Sequence, residues 1–383
     1  MPNFSGVWDL KDQVQAIAAG RWTGVTLYEL YGWGFNNFGQ LGQNDVGVSR
    51  SSPAQVGALK TWENVSAGRS FTGAKKTDGT IWTWGSNDNG QLGDGTVVSR
   101  SSPVQIGALT NWSQISAGGY FCLGVQNNNT LWSWGVNSAG LLGLGDGLAR
   151  SSPVQVGALT NWAQASAAVH SLAIKTDGTL WAWGNNTSGR LGDNTDVSKS
   201  SPVQIGALTD WSYVQAASGD CTFAIKTDGT LWSWGNNGNG RLGDGTVVTK
   251  SSPVQIGALT TWSKVGRGEN GSIAVKTDGT LWVWGRNQLG QLGQNNLIDR
   301  SSPVQVGALT DWLNADRGNN HCVATRTNGT LWSWGSNADG ALGDGTVVSV
   351  SSPVQIGAVT SWTTVSAALS SNRSFAIEEN TIT

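Results

Sequence analysis

The chain has 383 residues, with 23 lysines and arginines against 25 aspartates and glutamates and a formal charge of −2, which leaves no electrostatic footprint for nucleic acid or an anionic membrane. Its 54 glycines lack the triplet period and proline content of collagen, and 22 tryptophans exclude disorder because such side chains bury large areas. The three cysteines, Cys122, Cys221 and Cys322, have neither metal nor disulfide spacing and fit a reducing compartment or indifference to redox.

Residues 1–24, which include "FSGVWDLKDQVQAIAAGRW", carry charges and no apolar core of signal-peptide length. Nothing elsewhere approaches a membrane span. Leu10, Val14 and Ile17 fall on one helical face and Gly20 is a stop signal, so a short helical docking segment is expected, with Trp8 and Trp22 beside it. A competing reading takes "AIAAGRWTG" as a copy of "VSAGRSFTG" further along, which would make it a redundant half unit.

From residue 25 to the end the text repeats. Trp-Gly recurs at Trp33, Trp84, Trp134, Trp183, Trp234, Trp284 and Trp334, with gaps of 51, 50, 49, 51, 50 and 50. A second tryptophan series follows "GALT" or its variants, and every proline but Pro2 sits in "SSPxQ". Each unit divides into four stretches with strand character. In residues 211–257 they are "WSYVQAA", "CTFAIKT", "TLWSWG" and "SSPVQIG". The Asp228-Gly229 pair between the second and third predicts a tight hairpin with positive φ at both central residues. Trp232 and Trp234 alternate onto one face, and proline suits an outer edge strand. Four antiparallel strands repeated seven times predict an all-β, seven-bladed propeller in which tryptophans pack between blades. The chain starts with third- and fourth-strand text and ends with first- and second-strand text, so both termini are expected to share one blade.

These residues resemble the regulator of chromosome condensation repeat family, through Ala-Gly, Asp-Gly-Thr, Trp-x-Trp-Gly and Gly-x-Leu-Gly over about residues 27–378. The resemblance implies a seven-bladed ring. The family's founding member is an exchange factor for a nuclear small GTPase that binds chromatin, and other members are ubiquitin-ligase modules, kinase accessory domains or bacterial proteins. This sequence has no basic tail and no inserted wedge-like hairpin, and its repeats are unusually alike, which counts against exchange activity. The N-terminal Gly-Val-Trp-x-Leu segment is similar to short segments of tailed-phage virion proteins.

Function is sought where the repeats disagree. One face carries the turns between first and second strands and between third and fourth. There the units differ at Phe38, Arg69, Phe71, Tyr120, Phe121, His170, Arg190, Asp220, Arg241, Glu269, Asn270, Asn319, Asn320, His321, Asn372 and Arg373. Such side chains suit polar surfaces and sugars, whereas unconstrained loops also drift. His170 and His321 lack a third metal ligand, and Asp94, Asp193, Asp244 and Asp344 read as turn caps rather than calcium ligands. No catalytic constellation, metal or cofactor is expected. The expectation is a non-enzymatic binding module in a bacteriophage virion. Residues 1–24 would dock to other virion proteins, and the variable face would bind a host-surface glycan or protein. The alternatives are a cytoplasmic protein-interaction scaffold and a GTPase exchange factor. No nucleic acid or membrane insertion enters any of these readings.

Overall fold

Each Trp-x-Trp-Gly stretch forms the third strand of a four-stranded antiparallel sheet in the computed structural model of the protein, which describes residues 25–382. Blade 1 runs from the axis outward as Trp62–Ala67, Phe71–Lys76, Ile81–Gly85 and Arg100–Gln105. The same order recurs in blades 2 to 6, at residues 112–155, 162–204, 211–255, 262–305 and 312–355. Blade 7 takes Trp362–Ala367 and Arg373–Ile382 from one end of the ring and Val25–Gly34 and Arg50–Gln55 from the other. Ten consecutive pairs, from Val25 opposite Ile382 to Gly34 opposite Arg373, fasten that seam. The all-β seven-bladed propeller and its shared closing blade are the architecture the repeat phase predicts. Residues 1–24, with the expected docking segment and its Trp8, Leu10, Val14, Ile17 and Trp22, lie outside the described residues.

The core sits between blades. Trp62 and Trp84 of blade 1 pack with Leu30, Leu41, Val56 and Phe375 of blade 7, and six equivalent clusters fill the other boundaries. Trp62 meets Trp84 edge-on at 5.9 Å. The Trp82 ring, by contrast, is only half-buried. Each fully buried indole removes on the order of 200 Å² from water, so blade stacking carries most of the hydrophobic stabilisation.

Gly-x-Leu-Gly is the interlock. A Cβ on Gly39 would lie 2.6 Å from Ser101 Cα in the next blade, and one on Gly42 (φ +76°) would lie 2.7 Å from Trp84 Nε1. The carbonyl of the residue after the first glycine accepts the next blade's indole N–H, as in Trp84 Nε1 to Gln40 O at 2.9 Å. The same bond is made by Trp33, Trp134, Trp183, Trp284 and Trp334. A second-strand hydroxyl uses that carbonyl's other lone pair, as in Thr72 Oγ1 to Gln40 O at 2.9 Å.

The hairpin differs from its prediction. Gly79 has φ +77°, while Asp78 is absent from the positive-φ residues. Gly79 N bonds Lys76 O, and Lys76 N bonds Thr80 O, giving a three-residue turn with a bulged glycine in place of the two-residue form. Asp78 instead accepts from Thr80 N at 2.9 Å and Thr80 Oγ1 at 2.6 Å.

Candidate functional site

The variable positions separate into an interior set and a surface set. Phe71, Phe121, His170, His321 and Arg373 each open a second strand opposite the third-strand glycine, and all five are buried. Arg190 and Arg241 are buried as well. These residues link blades. Arg373 donates to Gly68 O, Arg69 O and Phe71 O of blade 1. Arg241 donates to Gly219 O at 2.6 Å and to Glu269 O at 3.0 Å. Arg190 pairs with Asp220 at 2.8 Å. Sequence variation there therefore reflects alternative solutions to blade contact. Arg69 and Phe38 are exposed, and Tyr120, Asp220, Glu269, Asn270, Asn319, Asn320 and Asn372 are half-buried.

Two of the surface set, Arg69 and Tyr120, border a cavity of about 210 Å³ on this face, walled by Tyr120, Val169 and Leu369 with Arg69 at its edge. The Arg69 guanidinium lies 5.4 Å from the Tyr120 ring centroid, and the buried Ser218 Oγ in the wall has no hydrogen-bond partner among the described residues. Sequence reasoning missed a second feature of this face. The third-to-fourth-strand loops hold aliphatics out to water: Val97 and Val98, Leu148, Val197, Val247 and Val248, Leu297 and Ile298, Val347 and Val348. The signal was present as "TVVS" in loops that should be polar.

Both histidines have a determined tautomer. His170 Nε2 lies 2.7 Å from Thr222 Oγ1, whose proton goes to Arg190 O. His321 Nε2 lies 2.9 Å from Ser374 Oγ, whose proton goes to Ala341 O. Each imidazole must then donate from Nε2, and each Nδ1 is buried without a partner. Burial, reinforced by Arg190, holds His170 well below the usual range, and burial brings His321 down from 6.5 to about 4. The unfolded chain binds these protons more readily, so the stability contributed by neutral histidine is present above pH 6.5 and is lost as pH falls toward 4. We expect thermal midpoints to drop across that window, with His321 alone accounting for roughly 3 kcal/mol. Replacing both histidines with glutamine, which donates the same bond without titrating, should flatten the profile. An unchanged profile would exclude them as its source.

The inner strands form a hydrogen-bonded belt. Ser66 Oγ accepts from Ala117 N at 2.9 Å, Ser116 Oγ from Ala167 N at 3.0 Å, Ser166 Oγ from Ala216 N at 2.9 Å and Ser366 Oγ from Ala67 N at 3.2 Å. Blade 5 has Gly266 at the serine position, and Asp316 of blade 6 compensates. Its Oδ1 accepts from Arg267 N and Arg317 N, both at 2.9 Å, and its Oδ2 from Ala367 N at 3.0 Å. Arg267 crosses the axis to Ala117 O at 3.1 Å, with Ser66 and Ser366 oxygens at 3.4 Å. It spans the channel beside a cavity of about 250 Å³ lined by all seven inner strands.

The other sequence candidates have structural partners. Asp94 accepts from Thr96 and pairs with Arg100 at 2.9 Å, and hydrogen bonds from Thr96 and Arg100 hold its carboxyl below the ordinary value against the opposing effect of burial. The cysteines are buried and unbridged. Cys122 and Cys322 lie opposite Trp134 and Trp334, but Cys221 is one residue out of that register, opposite Gly235. No described helix is long and apolar enough to cross a membrane.

The family described as RCC1-like domain matches residues 2–265, a span that takes in most of the N-terminal segment. The Regulator of chromosome condensation (RCC1) repeat matches residues 278–325 and 328–377, and again 262–291. The chain is 44% identical over 68 residues to the human probable E3 ubiquitin-protein ligase HERC6, covering 16% of this chain and 7% of that protein. It is 41% identical over 66 residues to human HERC3, another probable E3 ubiquitin-protein ligase, covering 17% and 6%. The chain thus spans a small fraction of either ligase. Among solved structures, Prp20p from Saccharomyces cerevisiae, studied for binding to Gsp1p and histones, superposes with TM-score 0.81 at 20% identity over 96% of this chain and 94% of that one. Human WBSCR16 gives TM-score 0.81 at 22% identity over 92% and 98%. At such identities the likeness conveys the fold.

Proposed function

This chain belongs to the RCC1-like domain family, and from that premise we propose that it is a non-enzymatic module that binds a protein on its variable face. The observation carrying this reading is the cavity beside Tyr120, on the face that also carries a crown of exposed aliphatics. Water-exposed aliphatics repeat from blade to blade on both faces, as Val97 and Val98 with their equivalents here and as Leu59, Leu109, Leu159, Leu208, Leu259 and Leu309 opposite, so the cavity is what favours this face for burial against a partner. A central aromatic beside an arginine is the composition of an interface hot spot. A glycan would use Tyr120 and Phe38 but leave the crown uncovered, so a protein is the better fit.

A photoreactive residue replacing Tyr120 should cross-link one discrete protein in extracts of the source cells, and the same residue at Leu259, in an exposed loop of the opposite face, should not. Tyr120→Ala with Val169→Asp should weaken binding of that protein at least tenfold, as expected for hot-spot residues worth about 2 kcal/mol. Capture only from Leu259, or unaltered affinity in the double variant, would remove the basis of the proposal. Acceleration of nucleotide release from a small GTPase would replace it with the exchange-factor reading, which the uniform blades do not favour.

The finer assignment to a tailed-phage virion rests on the sequence of residues 1–24. Its expected result is a truncated chain, lacking those residues, that folds but fails to join the particle. The cytoplasmic scaffold reading is left standing if no particle incorporates the full chain.

A further inference from the structure

We propose that the axial cavity is a binding site for a small oxyanion, of the size of phosphate or sulfate, held by Arg267 and Lys264. Among the lining residues, the charged side chains are the bases Arg267 and Lys264 and the single acid Asp316. Both Asp316 oxygens are occupied by backbone N–H groups. Four of the five amide oxygens on the wall are committed too: Gln114 Oε1 accepts from Ala165 N at 2.9 Å, Gln164 Oε1 from Val214 N at 3.1 Å, Gln215 Oε1 from Tyr213 Oη at 3.0 Å and Asn314 Oδ1 from Lys264 Nζ.

Donors are in the opposite position. The four belt serines use their oxygens to accept N–H bonds from neighbouring blades, and none of their hydroxyls donates to a described residue. The Arg267 guanidinium, buried at 6% exposure, spends one good bond on Ala117 O and makes only long contacts to Ser66 and Ser366. Lys264 Nζ rests on Asn314 Oδ1. A wall with positive charge and spare donors complements an oxyanion. A cation would meet the repulsion of Arg267 and Lys264, the two basic side chains on the wall.

The site does not depend on the partner-binding face. The test is calorimetric titration of the full chain with inorganic phosphate, at constant ionic strength with chloride as the reference, accompanied by thermal denaturation. One saturable site per chain and a rise in midpoint beyond that in chloride are expected. Arg267→Gln should abolish binding. Because that variant removes a buried group and could misfold, Lys264→Gln, an exposed residue, provides the second reading. It should keep the anion-free midpoint and weaken phosphate about tenfold, the size of one charge-assisted contact. Displacement of phosphate by N-acetylglutamate amide would assign the same donors to a partner's carboxylate, and failure to displace it would assign them to the free inorganic ion. Absence of saturable binding, or unchanged affinity in both variants, would overturn the proposal.

Discussion

Deleting residues 373–383 is expected to destroy cooperative folding of the whole ring, rather than to fray one edge. The lost strand lies between Trp362–Ala367 and Val25–Gly34 in blade 7. With it go Phe375 and Ile377, which pack on the Trp62 and Trp84 side of blade 1, and the three Arg373 bonds across the same boundary. Once the seam opens, blade 1 and blade 6 expose faces that are buried in the ring. A loss on the scale of the entire folding free energy, about 5–15 kcal/mol, follows. The measurement is circular dichroism with limited proteolysis of the truncated chain. Closure can be separated from mere loss of sequence. Val25 and Ile382 are register partners, so a short linker can join them and new ends can be opened at the exposed 108–110 loop. That permutant should fold, because it cuts no seam. A truncated chain that unfolds with the intact chain's midpoint and steepness would refute the closure argument.

Asp316→Ala is expected to cost about 3–5 kcal/mol, in the range for removing one partner from a buried charged network. The cause is not the charge of Asp316 itself. Burial pushes its carboxyl above the ordinary aspartate value, against Arg267 and the N–H bonds that pull the other way, so the ionised group is held at a cost. Its removal is destabilising because three backbone N–H groups of blades 5, 6 and 7 would lose their acceptor and Arg267 its countercharge. Asp316→Asn keeps one acceptor oxygen and should fall between. Denaturant titration of the three proteins gives the order, and a change below about 1 kcal/mol for alanine would show that water replaces the carboxylate.

The binding surface was harder to read from sequence than the fold. Phe71, Phe121, His170, His321 and Arg373 stood out as variable, yet all are interior. A residue opening the second strand faces the neighbouring blade, and neighbours can change together without reaching solvent. Val97, Val247 and their equivalents were overlooked for the opposite reason. Repetition made them look structural, while their exposure marks a surface. Gly266-Arg267 and Asp316-Arg317 replace the Ser-Ala of four other inner strands, a departure visible in the text whose meaning depends on the diameter of the ring.

What the sequence determined alone is the number of repeats, their four strands and the way the ring closes. The spacing of Trp-Gly sets seven units, the alternation around it sets strands, and the offset between first and last units sets a shared blade, because local geometry and a fixed period act within fifty residues or between adjacent copies. The tertiary structure decided what happens between residues hundreds of positions apart. It brought Arg267 to Ser66 across the axis, turned seven of the sixteen variable positions inward and left a ring of aliphatics outside. Those outcomes depend on how far each side chain reaches once the circle has closed, and no local pattern encodes that distance.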